Sequence, residues 1–138
     1  MKPANLLVVD DDFGFGVWVA MRLTEAGWAA LPAVSIPDAK RLIADEGVHI
    51  AALILNASLQ GAADFVVWLH ERQYQVRVIA LEGKDKQSPR FQAQGFMPRP
   101  TDQEIDDSPS RWLLRLDSLI LSQFTADSSG LRSHAKPL

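Results

Sequence analysis

Apolar residues fall in short runs that end at polar clusters, and stretches of helical period separate the runs. The run IAALIL at 50–55 stops at Asn56, and Ala57, Ser58, Gln60 and Gly61 follow. A short apolar run bounded by turn residues suits a strand buried on both faces. NLLVV at 5–9 is a second such run, and it meets Asp10, Asp11 and Asp12. A helix is expected over 13–26, with Gly27 as its stop. Residues 28–33 read as a short strand. Ser35 suits an N-cap, and Pro37 opens a helix that runs to about 46, before Gly47. The central strand takes 49–55, a helix 62–73, and VRVIAL at 76–81 a fourth strand. From 82 the apolar signal thins, and Pro89 leaves room for only a short helix. GFMP at 95–98 makes a fifth strand, and Ser108 and Pro109 open a last helix through about 124. The stretch 125–138, with Ser128, Ser129 and Gly130, reads as a linker or flexible end, which puts the domain at 1–124.

Apolar strands alternating with helices give an α/β fold, a parallel sheet with helices on both faces. Right-handed crossovers leave few topologies, and the flavodoxin-like order 2-1-3-4-5 is natural for five βα units. In such a sheet, chemistry sits beyond the C-terminal ends of the central strands. The order makes the first and third strands neighbours, so Asp10, Asp11 and Asn56 converge at one end. Three adjacent carboxylates repel one another unless a cation or basic group stands among them.

Composition narrows the chemistry. The 138 residues suffice for one domain with a sizeable core, and 47% hydrophobic with 22% charged is ordinary for a globule. The net charge is −3 with no basic block, which gives no case for nucleic acid. The absence of cysteine excludes disulfides, zinc–thiolate sites and thiol catalysis. His49, His70 and His134 are scattered and match no ligand spacing. No signal peptide or run of transmembrane length is visible, so a cytoplasmic protein is expected, away from membranes.

The residues at the strand ends carry a pattern. Leu6-Leu7-Val8-Val9 leads to Asp10-Asp11, Ala52-Leu53-Ile54-Leu55 to Asn56, and Val78-Ile79-Ala80-Leu81 to Glu82. Phe96 stands three residues before Arg99-Pro100. In order and spacing the chain resembles the receiver domain of two-component response regulators, over about 2–124. The resemblance implies a CheY-like fold and a phosphorelay setting. Asp10 and Asp11 fall on the magnesium-holding acidic pair, Asn56 on the phosphoacceptor aspartate and Glu82 on a serine or threonine. Arg99 falls on the lysine and Phe96 on the aromatic switch residue, though Phe96 reads equally well as plain core.

The departures from that pattern decide the function. A receiver aspartate attacks a phosphoryl donor while magnesium, the lysine and the hydroxyl stabilise the transferred group. Asn56 has no anionic oxygen and cannot be that nucleophile. Glu82 would repel a phosphoryl group, and Arg99 presents a planar fork suited to carboxylates. The segment 82–96 is short for a receiver, so a stunted fourth helix is expected. Magnesium binding is expected to be weak or lost, with Asp10 and Asp11 vestigial and Arg99 in the cation's place. The reading is a degenerate pseudo-receiver, not an enzyme and with no cofactor, that signals through protein contact. The alternative is a small haloacid-dehalogenase-like phosphatase using Asp10 and Asp12. That family needs a later acidic pair after a strand, and Asp106-Asp107 follows a loop.

Two helices are more apolar than one buried face requires. Val17, Trp18 and Met21 lie off the inner face of the first helix, and the last helix carries Trp112, Leu116 and further leucines. Surplus of this kind points to an association surface, a protein partner or a homodimer, through the first and last helices, with Trp18 as anchor. The competing reading is that the stretch from Thr125 folds over it.

Overall fold

The structure, a computed structural model, describes residues 5–83 and 91–135, with side chains through 123. Its five strands are β1 (Asn5–Val9), β2 (Ala29–Ala33), β3 (Ala52–Asn56), β4 (Arg77–Glu82) and β5 (Gly95–Pro98). All neighbours pair in parallel, in the order β2-β1-β3-β4-β5. This is the flavodoxin-like order expected from the sequence. The helices are α1 (Phe13–Glu25), α2 (Ile36–Lys40), α3 (Ala62–Glu71), α4 (Asp102–Asp107) and α5 (Pro109–Ala135). The chain divides into two units, the first ending at Arg99 and the second beginning at Pro100.

In the first unit, β1, β3 and β4 are interior strands. Leu6, Leu7, Val9, Leu53, Ile54, Leu55 and Ile79 are fully buried, the mark of a strand covered on both faces. Side chains alternate between faces. Leu7, Val9, Ala33, Leu53, Leu55 and Val78 share a cluster with Ala39 and Ile43 after β2, and with Phe65, Val66 and Leu69 of α3. Leu6 and Val8 pair with Ala52 and Ile54, and Ile54 with Ile79, at the opposite parity. On that face Ala30 and Pro32 of β2 line a groove with Val17, Ala20 and Met21 of α1. Pro32 donates no ladder bond, and β2 is an edge, where proline is tolerated.

Local chemistry sets the helix ends. Asp12 caps α1, its side chain accepting the Phe15 N–H at 3.1 Å, a contact worth about 1 kcal/mol. Gly27 at φ +104 turns the chain into β2. Ser35 caps α2 as expected, accepting the Asp38 N–H at 3.2 Å. Beyond Lys40 the helix widens to a π turn over Arg41–Asp45, where the Glu46 N–H donates to the Arg41 carbonyl at 3.0 Å.

Two readings change, and a third lies outside the described residues. The stunted fourth helix falls on 84–90, outside the described residues, while 91–94 beside them are not helical. A short helix not foreseen, α4, follows β5 and carries a full capping box between Thr101 and Glu104. The backbone expected to be a linker from 125 is helical through Ala135. Serine and a single glycine weaken a helix by about 1 kcal/mol at most per residue and do not forbid it.

The surface assignment on the last helix also changes. Trp112, Leu116 and Ile120 are fully buried, at spacings of one helical turn. Trp112 and Leu116 are therefore core and cannot belong to an association surface. Among the described side chains of α5, the exposed large apolar residues are Leu114, at 65%, and Leu121. The sequence showed the surplus but not which stripe turns inward. On α1, Met21 is 54% exposed, while Val17 and Trp18 are half-buried.

Candidate functional site

The C-terminal ends of β1, β3 and β4 open at one edge of the first unit. Asp10 follows β1, Asn56 ends β3, Glu82 ends β4 and Arg99 follows β5. The alternation of the strands then sorts them. Asp10, Asn56 and Arg99 continue the parity of Val8, Ile54 and Met97, on the α1 side. Glu82 continues the parity of Ala80, on the other side.

Asp10 and Asn56 are the buried polar residues among those described, at 2% and 4% exposure. Asp10 Oδ1 accepts the Asp12 N–H at 2.9 Å. Asp10 Oδ2 accepts no hydrogen bond. Arg99 Nη2 stands 3.4 Å from it, an ion pair without hydrogen-bond alignment. The guanidinium also lies over Phe15, with Cζ 4.4 Å from the ring centroid. Such a cation–π contact is worth about 0.5–1 kcal/mol at a partly exposed site. The Arg99 N–H donates to the Glu82 carbonyl at 2.8 Å, so Glu82 enters this group through its backbone.

Asn56 is fixed by its own loop. Its Oδ1 accepts the Ser58 N–H at 2.8 Å, and its carbonyl accepts the Leu59 N–H at 3.2 Å. Gly83 lets the loops after β3 and β4 approach: a Cβ there would meet Ser58 Oγ at 3.2 Å. Burial pushes the Asp10 carboxyl above its ordinary value of 3.8. The Asp12 N–H, the Arg99 charge and the Asn56 side chain pull it back, and Asp11 adds to the rise.

The structure thus brings Asp10, Asn56 and Arg99 together. Asp11 is exposed, and Asp12 is a helix cap. Phe96 is half-buried on β5, its ring 6.2 Å from that of Phe91. Phe15, which the sequence did not single out, is buried and also lies under Arg99, and its place in the first turn of α1 is the signal that could have found it. Among the described residues no group of three or more His, Asp or Glu is placed to hold a metal ion. The divalent ion implied by the receiver resemblance does not fit here. The one buried carboxylate already faces a guanidinium, and the position for a third acidic ligand carries a neutral amide.

The strand order, the parallel register and the site at the strand ends define a CheY-like flavodoxin fold. Solved receiver domains share it. A response regulator receiver domain from Methanospirillum hungatei JF-1 matches 92% of this chain and 99% of its own, at TM-score 0.67 and 17% identity. A receiver protein from Pseudomonas putida matches 88% of this chain and 98% of its own, at TM-score 0.67 and 18% identity. NtrX from Brucella abortus matches 95% of this chain but 30% of its own, at TM-score 0.69 and 21% identity. No family model and no curated protein matches the chain.

A carboxyl that holds its proton more tightly in the folded state loses stability as pH rises from its unfolded value through its folded one. Asp10→Asn removes that loss and keeps an acceptor for the Asp12 N–H. The variant should equal the wild type in acid and exceed it near neutral pH, measured by urea unfolding at both. A less stable variant at neutral pH would show that the Arg99 charge outweighs burial.

Proposed function

We propose that this chain is a non-phosphorylatable receiver-like module that acts in signal transduction through protein contact, without catalysis. The fold neighbours support the signalling part. The observation that carries the rest is Asn56, a neutral amide on the phosphoacceptor position whose oxygen is already engaged by the Ser58 N–H. A carboxamide offers no anionic nucleophile. The setting that goes with this reading is the cytoplasm. Among the described residues no helix is long and apolar enough to cross a membrane. The phosphatase alternative is not favoured. Its second aspartate, Asp12, caps α1, and Asp106-Asp107 lie exposed on α4.

Incubated with magnesium and a small phosphodonor, the protein should gain no phosphoryl mass. Asn56→Asp alone should react poorly, because the new carboxylate joins the acidic pair with the charge of Glu82 also at the strand ends, and Asn56→Asp with Glu82→Thr should react faster. A phosphoryl adduct on the wild type would refute the reading, and equal rates in the two variants would remove the role given to Glu82.

For the contact surface, α1 supplies what remains of the expected patch: Met21 and Val17, on a groove of about 320 Å³ that continues to Ala30 and Pro32. The partner proposed is a second copy of the chain. The expected result is a dimeric mass in solution that Met21→Glu converts to monomer. A monomeric wild type at high concentration would remove this surface from the proposal.

A further inference from the structure

We infer that Arg99 is a built-in cation: its guanidinium, held between the Asp10 carboxylate and the Phe15 ring, makes the site indifferent to divalent ions. The inference deepens the reading of a receiver without phosphoryl chemistry and rests on it for the identity of the site. It fails separately: a phosphoryl adduct would refute that reading, whereas a response to magnesium would refute this one.

Three observations carry it. Asp10 is the buried charged residue among those described, and its Oδ2 accepts no hydrogen bond but stands 3.4 Å from Arg99 Nη2. Arg99 is held at both ends. Its backbone N–H donates to the Glu82 carbonyl at 2.8 Å, which anchors the main chain, and its guanidinium Cζ lies 4.4 Å from the Phe15 ring centroid. Phe15 is itself buried, with its ring 6.1 Å from that of Trp18. The charges then close without an ion. Asp10 contributes one negative charge, Arg99 one positive, and Asn56 none. A divalent ion would bring two positive charges to one buried carboxylate and stand against a guanidinium, which repels it. Asp11 is exposed, and water solvates and screens its charge.

The consequence is regulatory. In a site whose cation enters and leaves, occupancy is a variable. Here the cation is covalently part of the chain, so the end of β5 and the first turn of α1 are held in one arrangement at every magnesium concentration.

The test is thermal unfolding with and without about 10 mM magnesium, for the wild type, Asn56→Asp, and Asn56→Asp with Arg99→Met. The wild type and the single variant should not move. The double variant, with a third carboxylate and no internal cation, should gain several degrees. A gain in the single variant equal to that in the double, or no gain in the double, would overturn the inference. If the double variant does not fold, nuclear magnetic resonance of the wild type decides. The Arg99 Hε resonance should be shifted by the Phe15 ring, lose that shift in Phe15→Leu, and stay in place when magnesium is added. Movement of the Arg99 resonance with magnesium would overturn it.

Discussion

A buried carboxylate must be neutralised, and the arrangement at the strand ends follows from how Asp10 meets that demand. Burial raises the cost of its charge, and a single backbone N–H, from Asp12, satisfies one oxygen. The second oxygen faces Arg99. The guanidinium lies against the Phe15 ring, and the main chain of Arg99 is tied by its N–H to the Glu82 carbonyl. A buried pair of this kind is weak ground for stability, because desolvation offsets most of the attraction. What it provides is position: it ties the end of β5 to the end of β1 across the two strands between them.

That tie gives the departures from the receiver pattern a common physical sense. With Asn56 in place of an acid, one negative charge leaves the buried group, and one fixed positive charge suffices to balance it. Arginine suits the task better than lysine, since its planar fork can face a carboxylate and lie on an aromatic ring at once. Asn56 does not idle. Its oxygen closes the turn into Ser58, and its side chain bears on Asp10. The neutral amide therefore fixes the local geometry of the strand end without adding a charge.

Much of the fold was legible because buried parallel strands are nearly continuous apolar runs. β1 and β5 begin and end where the runs do, and the strand order followed from handedness. The convergence of Asp10 and Asn56 was legible for the same reason, since topology alone makes β1 and β3 neighbours. What could not be read was anything set by the direction of a helix stripe. The residues of α5 are apolar on more than one side, and only packing decides that Trp112 turns inward and Leu114 outward. The helix end was placed too early, near 124, because Ser and Gly weaken the helical signal, although they cost a long helix little. Phe15 was missed as a partner of Arg99 because its place in the first turn of α1 is a general one, and a buried aromatic does not by itself name the cation beside it.

The cost of Arg99→Met in two backgrounds, measured by urea unfolding near neutral pH, tests the central pairing most directly. With Asp10 present, removing the guanidinium leaves a buried negative charge uncompensated. The loss should be on the order of 1–3 kcal/mol, reduced from a fully buried case because Arg99 is partly exposed. In an Asp10→Asn background the same change should cost only the ring contact, about 0.5–1 kcal/mol. Equal losses in the two backgrounds would mean that Asp10 and Arg99 do not act on each other, and would contradict the assignment of Arg99 as the counter-charge of the site.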